Sequence, residues 1–336
     1  LLCTALLVAA WALPMEAGAR QVTGEHVAPA LQQGEQRATN EGALFLLLPS
    51  GAQGVGLGRA MTAMSSSESA FWNPAGLARL SKSRVTVFRG EHLAGEATGF
   101  SAVHVRPGLG TFGISYELLD VGTQSLIDGS GNVLGSITVR NHQAIISGAM
   151  RVKGLLELGA NVKLIQFRQS CRGQCIDSGI SATSYAFDLG VQGRPLQSRP
   201  LTLGMMLAHL GPDFRVEDSQ QADPLPARIR VAAGYELLEG WVEEDLTFTL
   251  IVEAEDRVRD LGDPSLYLGG EFLAGAVDQV FIRAGYILGD RHEIDGAAVG
   301  FGVRYERFEL GIARSLARGG PAAASEPVHV TLGLSF

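Results

Sequence analysis

Two groups of residues in this 336-residue chain have types and spacing that could do chemistry: seven histidines, and three glycines at 54, 56 and 58 behind an apolar run. His26, His92, His104, His142, His209, His292 and His329 are scattered, and none stands in an H-E-x-x-H metal pair or beside a G-x-S-x-G nucleophile. His142 lies on the apolar face of an alternating segment, where a lipase assembled on the outside of a barrel would keep the histidine of a Ser/His/Asn site; a plain interfacial histidine fits the same position. Gly54, Gly56 and Gly58 follow Leu44–Leu48 as a phosphate-binding loop follows its strand. Their spacing is G-x-G-x-G, no acidic residue follows on a second strand, and no β-α-β pattern continues, so a nucleotide site is not expected. The sequence therefore predicts no catalytic residue, no cofactor and no metal, and a chain that is not an enzyme.

The chemistry being sparse, the information lies in composition and periodicity. Hydrophobic residues make up 46% of the chain and charged ones 18%, yet no run reaches the roughly 20 apolar residues of a membrane-spanning helix. Glycine is abundant, at 43 residues, and falls inside apolar alternating segments, where a crowded lumen tolerates it better than a soluble sheet does. A net charge of -8 supplies no basic stripe for a phosphate backbone, which excludes nucleic acid as a partner.

The first residues, Leu1 to Trp11, are a short apolar run ending near Ala17-Gly18-Ala19, which reads as a signal peptide over 1–19, followed by a polar leader over 20–41. A buried core helix is the alternative, but Pro14 and Gly18 interrupt it. Cleavage after Ala19 removes Cys3 and leaves Cys171 and Cys175, a spacing that suits a small disulfide loop in an exported chain. Half of a metal site is the competing reading, with only Asp177 nearby as a further ligand.

From residue 84 onward the dominant signal is period-two alternation in segments of about ten residues, the pattern of transmembrane strands. Leu156, Leu158, Ala160, Val162 and Leu164 share one face while Glu157, Asn161 and Lys163 share the other, and 184–194, 228–237 and 279–288 repeat the rule. A soluble sandwich shows the same alternation, so loop lengths have to separate the two. About fourteen strands between residues 84 and 336 leave long polar connections at 120–138, 169–182, 210–227, 256–264 and 317–326, alternating with shorter ones such as Lys153-Gly154 and Glu306-Arg307. The expected fold is an all-β transmembrane antiparallel barrel over 81–336, both of its ends on the periplasmic side. Its lumen charges include Glu157, Lys163, Asp188, Arg194, Arg230, Glu236, Glu253, Glu271, Arg283 and Arg304, both signs in similar number, which predicts ion-pair ladders or contacts to a plug. The last strand ends in Phe336, a terminal aromatic like the outer-membrane assembly signal, which makes the barrel assembly machinery an expected partner beside outer-membrane lipid.

Before the first strand stand a leucine-rich run (Leu44–Leu48), a Gly/Ala-rich stretch (Gly51 to Ala63) and the block Phe71-Trp72-Asn73-Pro74-Ala75-Gly76-Leu77. Together these resemble the PorV/PorQ family of outer-membrane proteins, relatives of the FadL-type channels. The resemblance covers about 42–80 at motif level; it implies a fourteen-stranded barrel and a role in protein export or surface attachment of the type IX secretion kind, with secretion subunits or exported cargo as partners. Residue by residue, 42–80 also reads as a lumen plug: its glycines permit close backbone approach, and Asn73-Pro74 favours a turn leading into a short helix. The alternative function is a FadL-like channel for hydrophobic molecules such as long-chain fatty acids, and a purely structural barrel is the plainest reading.

Overall fold

The computed structural model describes residues 41–92, 94–175, 179–196, 199–215, 222–237, 245–289, 295–316 and 327–336. The signal peptide, nearly all of the leader, and Asp177 lie outside these residues. Sixteen strands are found among the described residues. In chain order they are β1 (Arg84–His92), β2 (Gly95–Arg106), β3 (Gly110–Ile127), β4 (Val133–Val152), β5 (Leu156–Gly173), β6 (Gly179–Gly193), β7 (Leu201–Leu210), the short β8 (Phe214–Arg215) and β9 (Ala222–Asp223), β10 (Arg228–Glu236), β11 (Leu246–Arg257), β12 (Asp260–Ala274), β13 (Gln279–Leu288), β14 (Gly296–Tyr305), β15 (Phe308–Ser315) and β16 (Val328–Ser335). All but β8 and β9, which pair with each other, form one closed antiparallel barrel in which sequence neighbours pair and β1 meets β16. Closure runs from Arg84 opposite Ser335 to Gly90 opposite His329, so no edge strand is left open.

The barrel turns its apolar residues outward. On β3 and β4, Ile114 and Ile146 are 62% and 65% exposed while their chain neighbours Ser115 and Ile145 are buried at 0% and 1%. Val162 and Leu164 on β5, Val299 and Phe301 on β14 and Ile312 on β15 continue the outward rows. A soluble sandwich would bury these stripes between two sheets; here they form one external surface, which decides for a barrel of the membrane type. Among the described residues no helix is long and apolar enough to cross a membrane.

The two ends of the barrel differ. One end, the turn end, carries Pro107-Gly108-Leu109, Lys153-Gly154-Leu155 and Glu306-Arg307 together with the beginning of β1 and the end of β16. The loop end carries 211–227, with the β8–β9 ribbon, and the connections 289–295 and 316–327. Three of the connections expected to be long are not. Residues 120–138 and 169–182 are mostly strand, because β3, β4 and β5 run on for 18, 20 and 18 residues. On their upper parts the outer face turns polar, with Thr123, Ser136, Thr138, Gln166 and Ser170, while Ile137, Val139 and Phe167 lie on the inner face, so the pattern that marks a lipid-facing strand is lost although the hydrogen-bonded ladder continues. Residues 256–264 hold a tight turn at Val258-Arg259 between β11 and β12 rather than a loop. At the tip of the β3–β4 hairpin Asp128 accepts the N–H groups of Ser130 and Asn132 and the Asn132 side-chain amide, bonds that hold its carboxyl below the usual carboxylate range. Near the loop end Cys171 and Cys175 form a disulfide, their Cα atoms 6.3 Å apart.

The wall shifts register in the β3–β4, β11–β12 and β6–β7 pairs. Pairing of β6 with β7 shifts register between Phe187 and Leu189, and His209 takes a left-handed backbone conformation (φ 58°) with its N–H donated to the Asp188 carboxylate at 2.9 Å. A side chain thus replaces a ladder partner at this point.

Outward rows that contact lipid tails make a sharp prediction. Phe301→Arg, near the middle of β14, should destabilise the barrel in phospholipid vesicles by about 2–4 kcal/mol, read by urea unfolding, while Phe301→Leu stays close to wild type. A Phe301→Arg barrel as stable as wild type would remove the assignment of these rows to lipid.

Candidate functional site: the segment inside the barrel

Residues 41–80 run along the inner face of the barrel, from the loop end at Glu41, whose carboxylate pairs with Arg228 at 2.7 Å, to the turn end at Arg79. Four short helical pieces, Leu44–Leu47, Ala52–Gly56, Ser67–Ala70 and Pro74–Arg79, and the turns between them bond part of its backbone internally and leave the remaining N–H and C=O groups to find partners elsewhere. Inward-pointing polar side chains of the wall supply them. Glu253 accepts both the N–H and the hydroxyl of Thr62 at 2.7 Å. Glu117 accepts the Ser50 hydroxyl, Asn161 donates to the Ala70 carbonyl, and Gln192 donates to the carbonyls of Thr62 and Met64. Within the segment, Glu68 caps the Ala52–Gly56 helix by accepting from the N–H groups of Gln53 and Gly54, and Thr331 of β16 joins it, accepting from the Ala52 N–H and donating to Glu68.

The Trp-Asn-Pro-Ala-Gly block is built into this arrangement. Trp72 donates its indole N–H to the Ser50 carbonyl at 3.0 Å and lies against Gly54, where an added Cβ would sit 2.4 Å from the ring. Asn73 caps the helix that opens at Pro74, accepting from the Ala75 N–H, while its amide donates to the Thr62 carbonyl. Gly76 passes beneath Ser69 and Met64, where a Cβ would meet the Met64 carbonyl at 2.6 Å. Gly54, Gly56 and Gly58 are likewise contact points: Gly58, in a left-handed conformation, rests on Gly285 of β13, and Gly56 on Gly300 of β14. Wall glycines answer segment glycines, and Gly159, Gly190 and Gly204 receive Pro74, Asn73 and Thr62 in the same way.

The inward charges fall into ion pairs. Lys163 pairs with Asp188 at 2.8 Å with both side chains almost completely buried, Arg283 with Glu271 at 2.6 Å, and Arg230 with Glu255. Glu157 sits between Arg79 and Arg151, Arg194 pairs with Glu236, and Glu309 holds both Arg304 and Arg84. Removing one member of a buried pair strands the other and typically costs about 3–5 kcal/mol. Glu117, Glu255, Glu309 and Arg84 were missing from the set drawn from sequence; parity alone reaches Glu117 and Glu255, which share a face with residues already in that set or oppose the apolar row Phe112, Ile114, Tyr116, Leu118. Among the described residues no three His, Cys, Asp or Glu gather as a metal site, and His142 meets the Tyr116 hydroxyl at 2.7 Å rather than a serine.

Segment and wall leave little space at mid-height: beside Leu48, Trp72, His209 and Arg230 the free volume is about 10 Å³, room for no more than one water. Above this level, Leu46 packs with Ile165, Ala182, Ala186, Phe214 and Leu225, an apolar cluster next to the β6–β7 irregularity. Below it, toward the turn end, a polar cup of about 660 Å³ opens among Arg79, Arg151, Arg194, Glu157, Glu236 and Thr202.

Residues 21–198 match the model of the family described as Uncharacterised protein family (UPF0164). The chain belongs to that family. No curated protein sequence matches it. Among solved structures it is similar to the CymD monoaromatic hydrocarbon channel, at TM-score 0.56 and 10% identity over 85% of this chain and 96% of that one. It is similar also to a Pseudomonas aeruginosa FadL homologue, at TM-score 0.54 and 11% identity over 86% and 98% of the two chains. A mutant of the TodX monoaromatic hydrocarbon channel gives TM-score 0.53 and 12% identity over 85% and 97%. The UPF0164 chain therefore has the fold of the FadL-type outer-membrane channels. Neither the family match nor these neighbours carries the narrower PorV/PorQ resemblance.

If Glu253 anchors the segment, Glu253→Ala leaves the N–H and hydroxyl of Thr62 without acceptors at a cost of about 1–3 kcal/mol. Gly285→Leu should displace the segment sterically, since an added Cβ lies 2.1 Å from the Gly58 nitrogen. Both variants should show faster proteolysis within 42–80 while the barrel keeps its heat-modifiable gel mobility. Cleavage at the wild-type rate in both would mean that these contacts do not hold the segment.

Proposed function

We propose that this protein is an integral outer-membrane channel for hydrophobic small molecules, its turn end facing the periplasm, and that residues 42–80 are the plug that closes it. The observation that carries the reading is a buried apolar cluster at the loop end of the lumen, Leu46 of the plug with Ile165, Ala182, Ala186, Phe214 and Leu225, beside the point where the β6–β7 ladder is interrupted. A hydrophobic solute that displaces Leu46 there finds apolar side chains to replace it. Beyond the plug, the cup with its arginines and glutamates is a poor resting place for such a solute, which favours release.

The plug is held in two ways: wall carboxylates and amides bond its polar groups, and Leu57, Met61 and Trp72 pack with Ile251 and Tyr267 of the wall while Leu77 packs with Val103. The FadL-type fold supports the same reading, and the names of CymD and TodX describe channels for monoaromatic hydrocarbons. Nothing in the lumen singles out an exported protein as cargo, so the export role implied by the PorV/PorQ resemblance stands behind the channel.

The test is uptake of a monoaromatic hydrocarbon and of a long-chain fatty acid by cells lacking their own channels of this type. Cells expressing the protein should accumulate one or both faster than cells with an empty vector. Ala52→Cys combined with Gly311→Cys, where the Ala52 Cβ lies 3.3 Å from the Cβ position of residue 311, should tether plug to wall and suppress uptake until reductant is added. Reductant should leave wild-type uptake unchanged. Uptake no faster than the empty vector for both solutes would defeat the proposal.

A further inference from the structure

On the outer surface of the first five strands, the lipid-facing rows end at one level in a band of charge. Arg89 (β1), Glu96 (β2), Asp120 (β3), Arg140 (β4) and Arg168 (β5) all point outward, and the register sets Glu96 opposite Asp120, Asp120 opposite Arg140, and Arg140 opposite Arg168. On the turn-end side of the band lie Ile114, Ile146, Val162 and Leu164; on the other side the wall continues as the polar upper parts of β3 to β5, where Thr123 and Thr138 share a hydrogen bond. Between belt and band the Tyr116 hydroxyl meets the His142 ring at 2.7 Å, a half-apolar, half-polar pair of the kind that settles at a membrane interface.

The charges of the band do not balance. Glu96 is bonded to Arg89 at 2.6 Å and Asp120 to Arg140 at 2.9 Å. Arg168 stands directly across from Arg140 and has no carboxylate partner among the described residues; Arg172, two places further along the same face of β5 and opposite Ser136, is exposed and likewise has no carboxylate partner among them. Like charges directly opposite each other in an antiparallel pair repel. Along this outward stretch three guanidinium groups thus stand against one carboxylate, Asp120, with apolar rows on the turn-end side.

We propose that Arg140, Arg168 and Arg172 bind the phosphate of a lipid headgroup in the membrane leaflet at the loop end. Guanidinium forks match phosphate oxygens in pairs, and an anion between Arg140 and Arg168 turns their repulsion into two charge-assisted contacts. The position selects a lipid over a dissolved anion: the headgroup brings its acyl chains against Ile146, Val162 and Leu164, so that burial of the chains adds to the phosphate contact. The site requires only that the outward apolar rows face lipid, and it stands whether or not the barrel passes hydrophobic molecules.

The experiment is native mass spectrometry of the full-length protein in a neutral detergent, titrated with bis-phosphorylated lipid A, with the same lipid after dephosphorylation, and with inorganic phosphate. Wild type should retain the phosphorylated lipid, and Arg140→Gln/Arg168→Gln/Arg172→Gln should bind it at least about tenfold more weakly, as expected for loss of charge-assisted contacts. Heat-modifiable gel mobility reports folding of the variant; if the triple variant does not fold, exposed Arg168→Gln alone should weaken binding in the same direction. Equal retention of the dephosphorylated lipid, displacement of the lipid by an equal concentration of inorganic phosphate, or unchanged binding in the folded variants would each overturn the proposal.

Discussion

A backbone amide surrounded by hydrocarbon has no water to bond to, so every strand in this wall must find partners on both sides. That constraint is met by closing β1 on β16, and closure in turn fixes the two faces of every strand. Because successive side chains point to opposite faces, one choice of register puts Ile114, Val162, Phe301 and Ile312 outside and Glu117, Lys163, Arg304 and Thr331 inside. A polar interior follows from an apolar exterior.

Such an interior cannot be left half filled. Asp188, Glu253 and Arg230 are held where water is scarce, and each has a bonded partner, either another wall residue or the segment 41–80. The turns of the segment leave part of its backbone unbonded, and inward side chains of the wall complete it, as Glu253 does for Thr62 and Gln192 for the carbonyls of Thr62 and Met64. Glycines decide how closely they meet. At Gly285 and Gly300 the wall has no side chain, and at Gly58 and Gly56 neither has the segment, so two backbones pack at van der Waals distance.

The resulting lumen has a direction. Apolar residues gather around Leu46 at the loop end and ionic ones around Glu157 at the turn end, with the packed middle between them. Beside the apolar cluster the ladder shifts register, and Asp188 substitutes for a backbone partner of His209. A register shift beside a buried apolar cluster is the local feature on which the channel reading depends.

The strand pattern, the closed barrel and the sorting of faces were legible in the sequence, because period-two alternation is a property of each strand by itself. Leu156 to Leu164 announce one face and Glu157 to Lys163 the other without any knowledge of neighbours. The upper parts of β3, β4 and β5 were not legible as wall strands, since their outer face is polar instead of apolar; the cross-strand ladder defines them. The Trp72–Gly76 block stood out as a motif, but its work depends on Ser50, Thr62 and Gly54 arriving beside it, and those meetings are made by the tertiary fold. The same holds for the pairing of Arg140 with Arg168 and of Lys163 with Asp188. Which charge faces which is set by inter-strand register, a relation between distant parts of the chain that no single segment encodes.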